Sequence, residues 1–396
     1  MMDLKRCSRC VMPETHETIF YDDEGVCNIC RQHELKHEKI DWDKRKQEFV
    51  EIVDRYRGKG AYDCIIPISG GKDSTYVLYM MMKKYKVKPL AVSFDHGFYR
   101  PHHIKNRDKV LRKLGVDLHL FRSNQKVVKK LMLESLKRKG DFCWHCHTGV
   151  FAYPMQIAVK HNIPLLIWGE STAEYTSYYS FDEPDERDEE AFNKWINLGI
   201  TAEDMEGMLD GSVTMRDLEP YRYPRLRDLN RIGYRSICYG TYHPWDVRKH
   251  VDVIQKELGW EVDEVEGVPS DYWYTKLECM FSGVRDYLKF LKRGFGRTTQ
   301  LATDDVRAGV ITREEALTRL RQNDGLKPAS LGPFLEFIGI TEDEFNEIAA
   351  RHMVSPWKCD PKKIRKGKTL HDQEDWNLSG VNEQVIIAKE AEAQEE

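Results

Sequence analysis

The chain reads as an α/β protein: a parallel sheet wound on both faces, with a small metal-bound module before it and a helical region after it. Three observations predict this. Short apolar runs alternate with helix-like segments between Tyr62 and Gly240, the pattern of a sheet covered on both sides. Two Cys-x-x-Cys pairs precede that alternation, and helical patterning dominates from Asp246 onward. The 396 residues exceed the roughly 250–300 at which a single core stops growing, so two or three domains are expected.

The balance of charge narrows the function. Lys and Arg number 61 against 65 Asp and Glu, a net charge of −4, with 41% apolar and 32% charged residues. This is a globular, soluble composition, and it speaks against a general nucleic-acid binder, which leans basic. The most apolar runs, Tyr76–Met82 and Ile163–Trp168, fall short of the ~18–20 residues that span a bilayer. Met1-Met2-Asp3-Leu4-Lys5-Arg6-Cys7 offers no apolar stretch for a signal peptide. A reducing, cytoplasmic location is therefore expected, and the ten cysteines are read as metal ligands, reactive groups or core thiols rather than as a disulfide framework.

The elements follow in order. Cys7-x-x-Cys10 and Cys27-x-x-Cys30 can each form a knuckle that points two thiolates at one ion, with Gly25 at a turn between them. Four sulfurs satisfy tetrahedral Zn2+ and leave no open position, so the metal is structural; the alternative is a pair of redox dithiols. This zinc-ribbon-like module is placed at 1–40. Asp41–Arg57 is amphipathic, with Trp42, Phe49, Ile52, Val53 and Tyr56 near helical spacing. Tyr62–Ile68 is a buried strand with Pro67 near its end, and an apolar helix runs on through Lys84. Strands follow at Leu90–Asp95, Val116–Phe121, Pro164–Trp168 and Ser236–Gly240, with helices at Ile104–Leu114, Gln125–Lys139 and Gly149–His161. Phe181–Glu190 is an acidic insertion, read as a solvated loop, and 191–230 is polar and partly helical. Thr312-Arg313-Glu314-Glu315 and Thr341-Glu342-Asp343-Glu344 are capping boxes. The α/β domain is placed at 41–260, a helical domain at 261–360 and a polar tail at 361–396. No internal repeat is found.

Ser69-Gly70-Gly71-Lys72-Asp73-Ser74 carries the chemistry. It sits between a strand and a helix. Two glycines let backbone approach an anion without a Cβ clash, and the helix start presents free N–H groups to phosphate. Lys72 adds charge, and Ser69 and Ser74 add hydroxyls. A Walker loop would need Gly and Ser/Thr where Ile66 and Asp73 stand, and a dinucleotide fingerprint would need a third glycine. The plain alternative is a glycine turn.

The Ser-Gly-Gly-x-Asp-Ser loop resembles that of the PP-loop ATP pyrophosphatases, which cleave ATP between the α and β phosphates. The resemblance implies a Rossmann-like parallel sheet and an adenylated substrate. It places ATP on Ser69, Gly70, Gly71, Lys72, Asp73 and Ser74, with Lys72, Asp73 and Ser74 acting in catalysis. It sets Phe94 and Asp95 near the adenosine, with Gly169 and Glu170 at a later strand end. Glu170 could hold Mg2+ with the phosphates, or cap a helix.

Further segments narrow the resemblance: Phe142-Cys143-Trp144-His145-Cys146-His147-Thr148-Gly149, Trp168-Gly169-Glu170, Tyr242-His243-Pro244-Trp245-Asp246, Lys292-Arg293-Gly294-Phe295-Gly296-Arg297-Thr298-Thr299 and Arg307–Ala316. With these the chain is similar to the bacterial N-acetyl sugar amidotransferases over nearly its whole length. The resemblance implies an ATP-dependent, AMP- and pyrophosphate-forming ligase of lipopolysaccharide (O-antigen) biosynthesis. It would turn the acetamido group of a nucleotide-linked or nonulosonic sugar into an acetamidino group through an O-adenylyl imidate. Lys292, Arg293 and Arg297 would form a flexible basic loop, with Arg297 on phosphate or a substrate carboxylate; a helix-end turn is the alternative. Tyr272, Trp273 and Tyr274 offer a stacking face, though core packing is the more common role of such a run.

Ammonia needs a source. Ser236-Ile237-Cys238-Tyr239-Gly240 departs from a Gly-x-Cys-x-Gly elbow at its first position, and His243-Pro244-Trp245 lacks the glutamate of His-x-Glu. A separate glutaminase subunit is therefore expected, as the family resemblance implies. Cys143-x-x-Cys146, joined by Cys238 or Cys279, resembles the iron–sulfur ligand set of PP-loop tRNA thiolases. Core or substrate-site thiols are the alternative. tRNA sulfur transfer is thus the rival function, and a nucleotide-sensing scaffold the non-enzymatic one.

Overall fold

The computed structural model describes residues 4–169 and 192–367. After the cysteine knuckles come α1 (Asn28–Lys39) and α2 (Trp42–Tyr56). Asp41 caps α2 by accepting from Asp43 N and Lys44 N, and the helix buries Phe49, Ile52 and Val53. The alternating unit then runs β1 (Cys64–Pro67), α3 (Lys72–Lys83), β2 (Pro89–Asp95), α4 (Pro101–Leu114), β3 (Leu118–Arg122), α5 (Gln125–Lys139), α6 (Trp144–His161), β4 (Leu165–Trp168) and β5 (Arg235–Cys238).

The five strands form one sheet in the order β3-β2-β1-β4-β5, and every pairing is parallel. All seven residues of β2 and all four of β4 are buried, as a sheet covered on both faces requires. One face packs on α2, α3 and the helix Val247–Leu258 through Val77, Leu78, Met81 and Ile254. The other packs on α6 through Met155, Ile157 and Ala158. Each such aliphatic side chain contributes about 1.5–3 kcal/mol by leaving water, and Leu78→Ala would cost about 2–5 kcal/mol. Strand order reverses at β1, with β2 on one side and β4 on the other. In sheets of this kind the crevice at that reversal, beyond the carboxyl ends of the strands, is where ligands bind.

Several boundaries shift from the sequence reading. Pro101, at the first turn of α4, starts that helix three residues early, where a missing N–H costs nothing. α6 begins at Trp144, so Cys143 is its cap residue and Cys146 lies in its first turn. β5 ends at Cys238 because Tyr239–Tyr242 is already helical, with Gly240 N bonded to Gly169 O at 3.0 Å.

The C-terminal region is helical at Ser282–Arg293, Arg297–Arg307, Arg313–Asn323, Leu331–Ile338 and Glu342–Arg351. Thr312 with Glu315 and Thr341 with Glu344 form reciprocal capping boxes. Phe334, Phe337 and Leu288 share one apolar cluster with Val128 and Leu136 of α5, so these helices rest on the α/β unit. The acidic insertion Phe181–Glu190 and the tail beyond 367 lie outside the described residues. Among the described residues, no helix is long and apolar enough to cross a membrane.

Candidate functional site

The loop Ser69–Ser74 leaves β1 at the strand reversal. Ile68 N bonds Val92 O at 2.8 Å, which holds the chain on the sheet up to the turn. Gly70 then adopts φ +98, and a Cβ there would lie 2.7 Å from Arg107 Cβ and 3.2 Å from His103 Nε2. Only glycine fits. Gly71 caps α3 without a side-chain hydrogen bond, leaving the first N–H groups of the helix available to an anion. Ser69 Oγ accepts from Gly71 N at 3.2 Å and lies 3.4 Å from Ser74 Oγ.

A cavity of about 190 Å3 opens here, lined in part by Ser69, Asp73, Ser74, Phe94, Trp168 and Gly169. It is smaller than the roughly 300–1,000 Å3 of a drug-sized pocket. Lys72 and Asp73 pair side by side, with Lys72 13% and Asp73 26% exposed. The second oxygen of Asp73, Oδ1, is buried without a hydrogen-bond partner among the described residues. His250 stacks on Tyr76 at 3.7 Å and feels both Asp73 and Lys72; burial lowers its pKa to about 4, against the pull of Asp73, so it is neutral at pH 7.

The other expected residues divide between the cavity and places away from it. Phe94 stacks on Phe121 at 5.3 Å and is 2% exposed, forming the cavity's floor. Asp95 turns away: it accepts from Gly97 N at 2.8 Å and from Arg122 Nε at 3.0 Å. Glu170 lies outside the described residues. Arg297 is not brought to the loop. It forks onto Asp286 at 2.9 and 3.2 Å and lines a separate cavity of about 480 Å3 with Trp273 and Asp324. The segment read as a flexible basic loop is a tight connection: Gly294 has φ +76, and a Cβ there would lie 2.6 Å from Trp357. Arg293 donates to Thr15 O of the N-terminal cysteine module. Tyr272 is fully buried, its hydroxyl donating to Asp305 at 2.7 Å.

Two side chains beside the loop had no signal in the sequence. His103 of α4 is fully buried, with Nε2 on Ser69 O. Glu278 reaches the loop from the far side: a Cβ on Gly71 would stand 3.8 Å from its Oε2. Burial would raise the Glu278 pKa, but Lys276, then His103, its own backbone N–H and Lys72 hold it at about 2.

The four knuckle cysteines form a second, separate site. Their sulfurs all lie within 4.8 Å of one another, and the residues are 0–1% exposed. Cys7 to Cys30 spans 4.0 Å and Cys10 to Cys27 3.8 Å. A tetrahedral ion with bonds of about 2.3 Å sets its sulfurs ~3.8 Å apart, so the four thiols fit a structural metal. Backbone N–H groups of Cys10 and Cys27 point at Cys7 Sγ at 3.4 and 3.2 Å, a bonding pattern that favours thiolate. The Arg313 guanidinium donates to the carbonyls of Cys7 and Cys10, tying the knuckles to the C-terminal helices.

The second cysteine group is looser. Burial pushes the Cys143 thiol up, with nearby Cys146 and Cys279 adding to the rise, and burial pushes Cys279 up to about 12. Cys238 packs instead in the core beside β4. Among the described residues, the only tight group of three or more metal-type ligands is the knuckle set.

Residues 266–370 match the family model of the LPS biosynthesis protein WbpG-like C-terminal domain. This part of the chain is similar to that domain. An uncharacterized protein of Methanocaldococcus jannaschii is 31% identical over 143 residues, 36% of this chain and 50% of the relative. A glutamine-hydrolyzing GMP synthase of Pyrobaculum aerophilum is 30% identical over 88 residues, 22% of this chain and 17% of that protein. The chain thus spans half or less of the curated relatives it matches. Among solved structures, a tRNA thiolase, NcsA, from Methanococcus maripaludis with its 4Fe-4S cluster aligns at 12% identity and a TM-score of 0.30, over 91% of this chain and 100% of that one. An NH3-dependent NAD synthetase from Campylobacter jejuni aligns at 13% and 0.27, over 57% and 100%. Scores this low leave the fold to rest on the strand order, the parallel pairings and the loop. These give an α/β unit built on a five-stranded parallel sheet, with a four-cysteine module before it and helices after it.

Proposed function

We propose that the chain is an ATP-dependent N-acetyl sugar amidotransferase of lipopolysaccharide biosynthesis. The observation that carries this reading is the Ser69–Ser74 loop at the strand reversal of a chain whose C-terminal domain is WbpG-like. An amide carbonyl is a poor electrophile and its oxygen a poor leaving group. Attack of the acetamido oxygen on the α phosphorus forms an O–P bond and expels pyrophosphate. Ammonia then adds to the imidate carbon, the C–O bond breaks, AMP departs with the oxygen, and loss of a proton leaves the amidine. In this reading the loop N–H groups, Lys72 and Ser74 offset the charge of the phosphates by fixed electrostatics, and Mg2+ accompanies the nucleotide. Zn2+ in the knuckles has a structural role.

In this reading ammonia comes from a separate glutaminase, since Cys238 is fully buried and the sequence around it lacks the first glycine of the elbow and the glutamate of His-x-Glu. Incubation with ATP, ammonium and an acetamido sugar should give a product one mass unit lighter, as oxygen is exchanged for NH. Glutamine alone should give almost none until a glutaminase is added. Unchanged sugar under all conditions, with ATP intact, overturns the reading.

A second reading, tRNA thiolation, is favoured by one observation: buried Cys143 lies near enough to half-buried Cys146 and Cys279 for their charges to act on it. The NcsA thiolase carries a 4Fe-4S cluster. Iron in anaerobically purified protein, lost in Cys146→Ser, together with sulfur transfer to tRNA, would select this reading.

A further inference from the structure

The helix Ser282–Arg293 buries Gly283, Tyr287 and Phe290 on one side. Arg285, Lys289 and Lys292 follow at spacings of four and three residues, so they share the opposite face. A row of this kind is usually a solvated surface. Here all three residues are half-buried, because the face lies between two other parts of the chain. On one side stands the cysteine module: Arg293 Nε meets Glu17 at 3.0 Å, and Lys289 Nζ lies 4.5 Å over the ring of Phe295, which packs on the knuckle cysteines. On the other stands Asp141, just before α6, at 3.6 Å from Arg285.

The charges in this cleft do not balance. Those that act on Lys289 and Lys292 are Arg285, Arg293 and Arg297 and the carboxylates of Glu17, Asp141 and Asp286. Each carboxylate is already taken: Glu17 by Arg293, Asp286 by Arg297 and Asp141 by Arg285. Lys289 and Lys292 are left with no hydrogen bond or ion pair among the described residues, an excess of two positive charges. Nε of Arg285 is also buried without a hydrogen-bond partner among the described residues. Burial lowers the Lys289 pKa to about 8, against the pull of Glu17, and Arg297 and Arg285 add to the fall. The adjoining imidazoles carry no charge at pH 7, since burial lowers His16 to about 4 and His147 to about 3. Half-buried cations that repel one another are stabilised by an anion. Two ammonium groups and a guanidinium N–H without a partner suit a doubly charged oxyanion, and a cleft between two elements admits a small one.

We propose that Arg285, Lys289 and Lys292 form a phosphate site of their own, apart from the Ser69–Ser74 loop, which takes free phosphate or the phosphate end of a small ligand. The site does not depend on the reading of the loop as an ATP site. The experiment titrates inorganic phosphate and a sugar 1-phosphate into the full chain by calorimetry at constant ionic strength, and the tighter of the two identifies the source. Lys289→Gln with Lys292→Gln should weaken phosphate binding at least tenfold. Lys105→Gln with Lys113→Gln, which removes two charges from exposed positions of α4, should leave it within twofold. Asp141→Asn should tighten it at least twofold, because a competing carboxylate has gone while an oxygen is kept for Cys143 N; a gain of this kind does not come from misfolding. Lys72→Gln should leave a phosphate site in place. Absence of binding to the wild type, unchanged affinity in the Lys289/Lys292 variant, equal loss in the Lys105/Lys113 variant, weaker binding in Asp141→Asn, or loss of all binding in Lys72→Gln would each overturn the proposal.

Discussion

The cysteine knuckles and the phosphate loop are both turns whose backbone N–H groups face an electron-rich partner, yet they are assembled over different spans of chain. All four knuckle sulfurs come from residues 7–30 and meet within 4.8 Å. The loop's surroundings come from three strand ends, from His103 on α4, and from Glu278 in the C-terminal domain. A site closed by local spacing depends chiefly on its ion. A site closed by distant segments depends on the packing that brings them together.

That contrast sets the size of the expected effects. The largest is at the knuckles. Cys27→Ser should remove the single equivalent of zinc and cost more than about 4 kcal/mol in thermal or denaturant unfolding, because folding and metal binding are one event there. Retention of zinc at full occupancy by this variant would break the comparison, as would its absence from the wild type by elemental analysis.

The next effect is on the loop side and is read by pH. His103 is buried neutral, with its folded pKa about 4 against 6.5 unfolded. Its contribution is present in full above pH 6.5 and is lost as pH falls toward 4, where the ring must charge in a buried position. The 2.5-unit difference corresponds to about 3 kcal/mol. Glu278, held at about 2, adds its loss in a lower window, from about 4.5 downward. Denaturant unfolding of the wild type and of His103→Gln at pH 7 and pH 4.5 checks this, and the stability gap between them should narrow at the lower pH. A constant gap would mean that the ring does not stay neutral behind the loop.

The smallest effect separates two glycines. Gly70→Ala must hold φ +98 and displace Arg107, whereas Gly115→Ala at φ +67 meets nothing within 4 Å. We expect a cost of about 2–3 kcal/mol for the first and about 1 kcal/mol for the second. Only the first should also abolish substrate-dependent pyrophosphate release. Equal costs and equal turnover would remove the loop's backbone shape from the mechanism.

The same contrast explains what the sequence revealed. The knuckle spacing, the helix Gln125–Lys139 and the capping pairs Thr312/Glu315 and Thr341/Glu344 are local patterns, and each appears in the structure as written in the chain. The loop was legible because its turn, charge and hydroxyls lie within six consecutive residues. Glu278 was not: Lys276-Leu277-Glu278-Cys279 has no periodicity, and its place depends on backbone pairing with residues 98–100. His103 sits in a helix pattern that gives no hint of Ser69 across from it. Asp95 and Arg297 have residue types suited to a phosphate site, but Arg122 and Asp286, invisible as partners in a linear reading, take them up.

The Arg313 bond to the knuckle carbonyls sets an order of assembly. Cys7, Cys10, Cys27 and Cys30 are made before the surface they dock on and, being local to one another, could take an ion at once. Their docking surface, Phe295 and Arg313, is made almost three hundred residues later. A knuckle loaded at that stage would wait on a growing chain, and its closure onto that surface joins residues 7–30 to a segment almost three hundred residues further along. An ion held there would serve in this sense as a clasp whose other half arrives only when the sheet between them has been made.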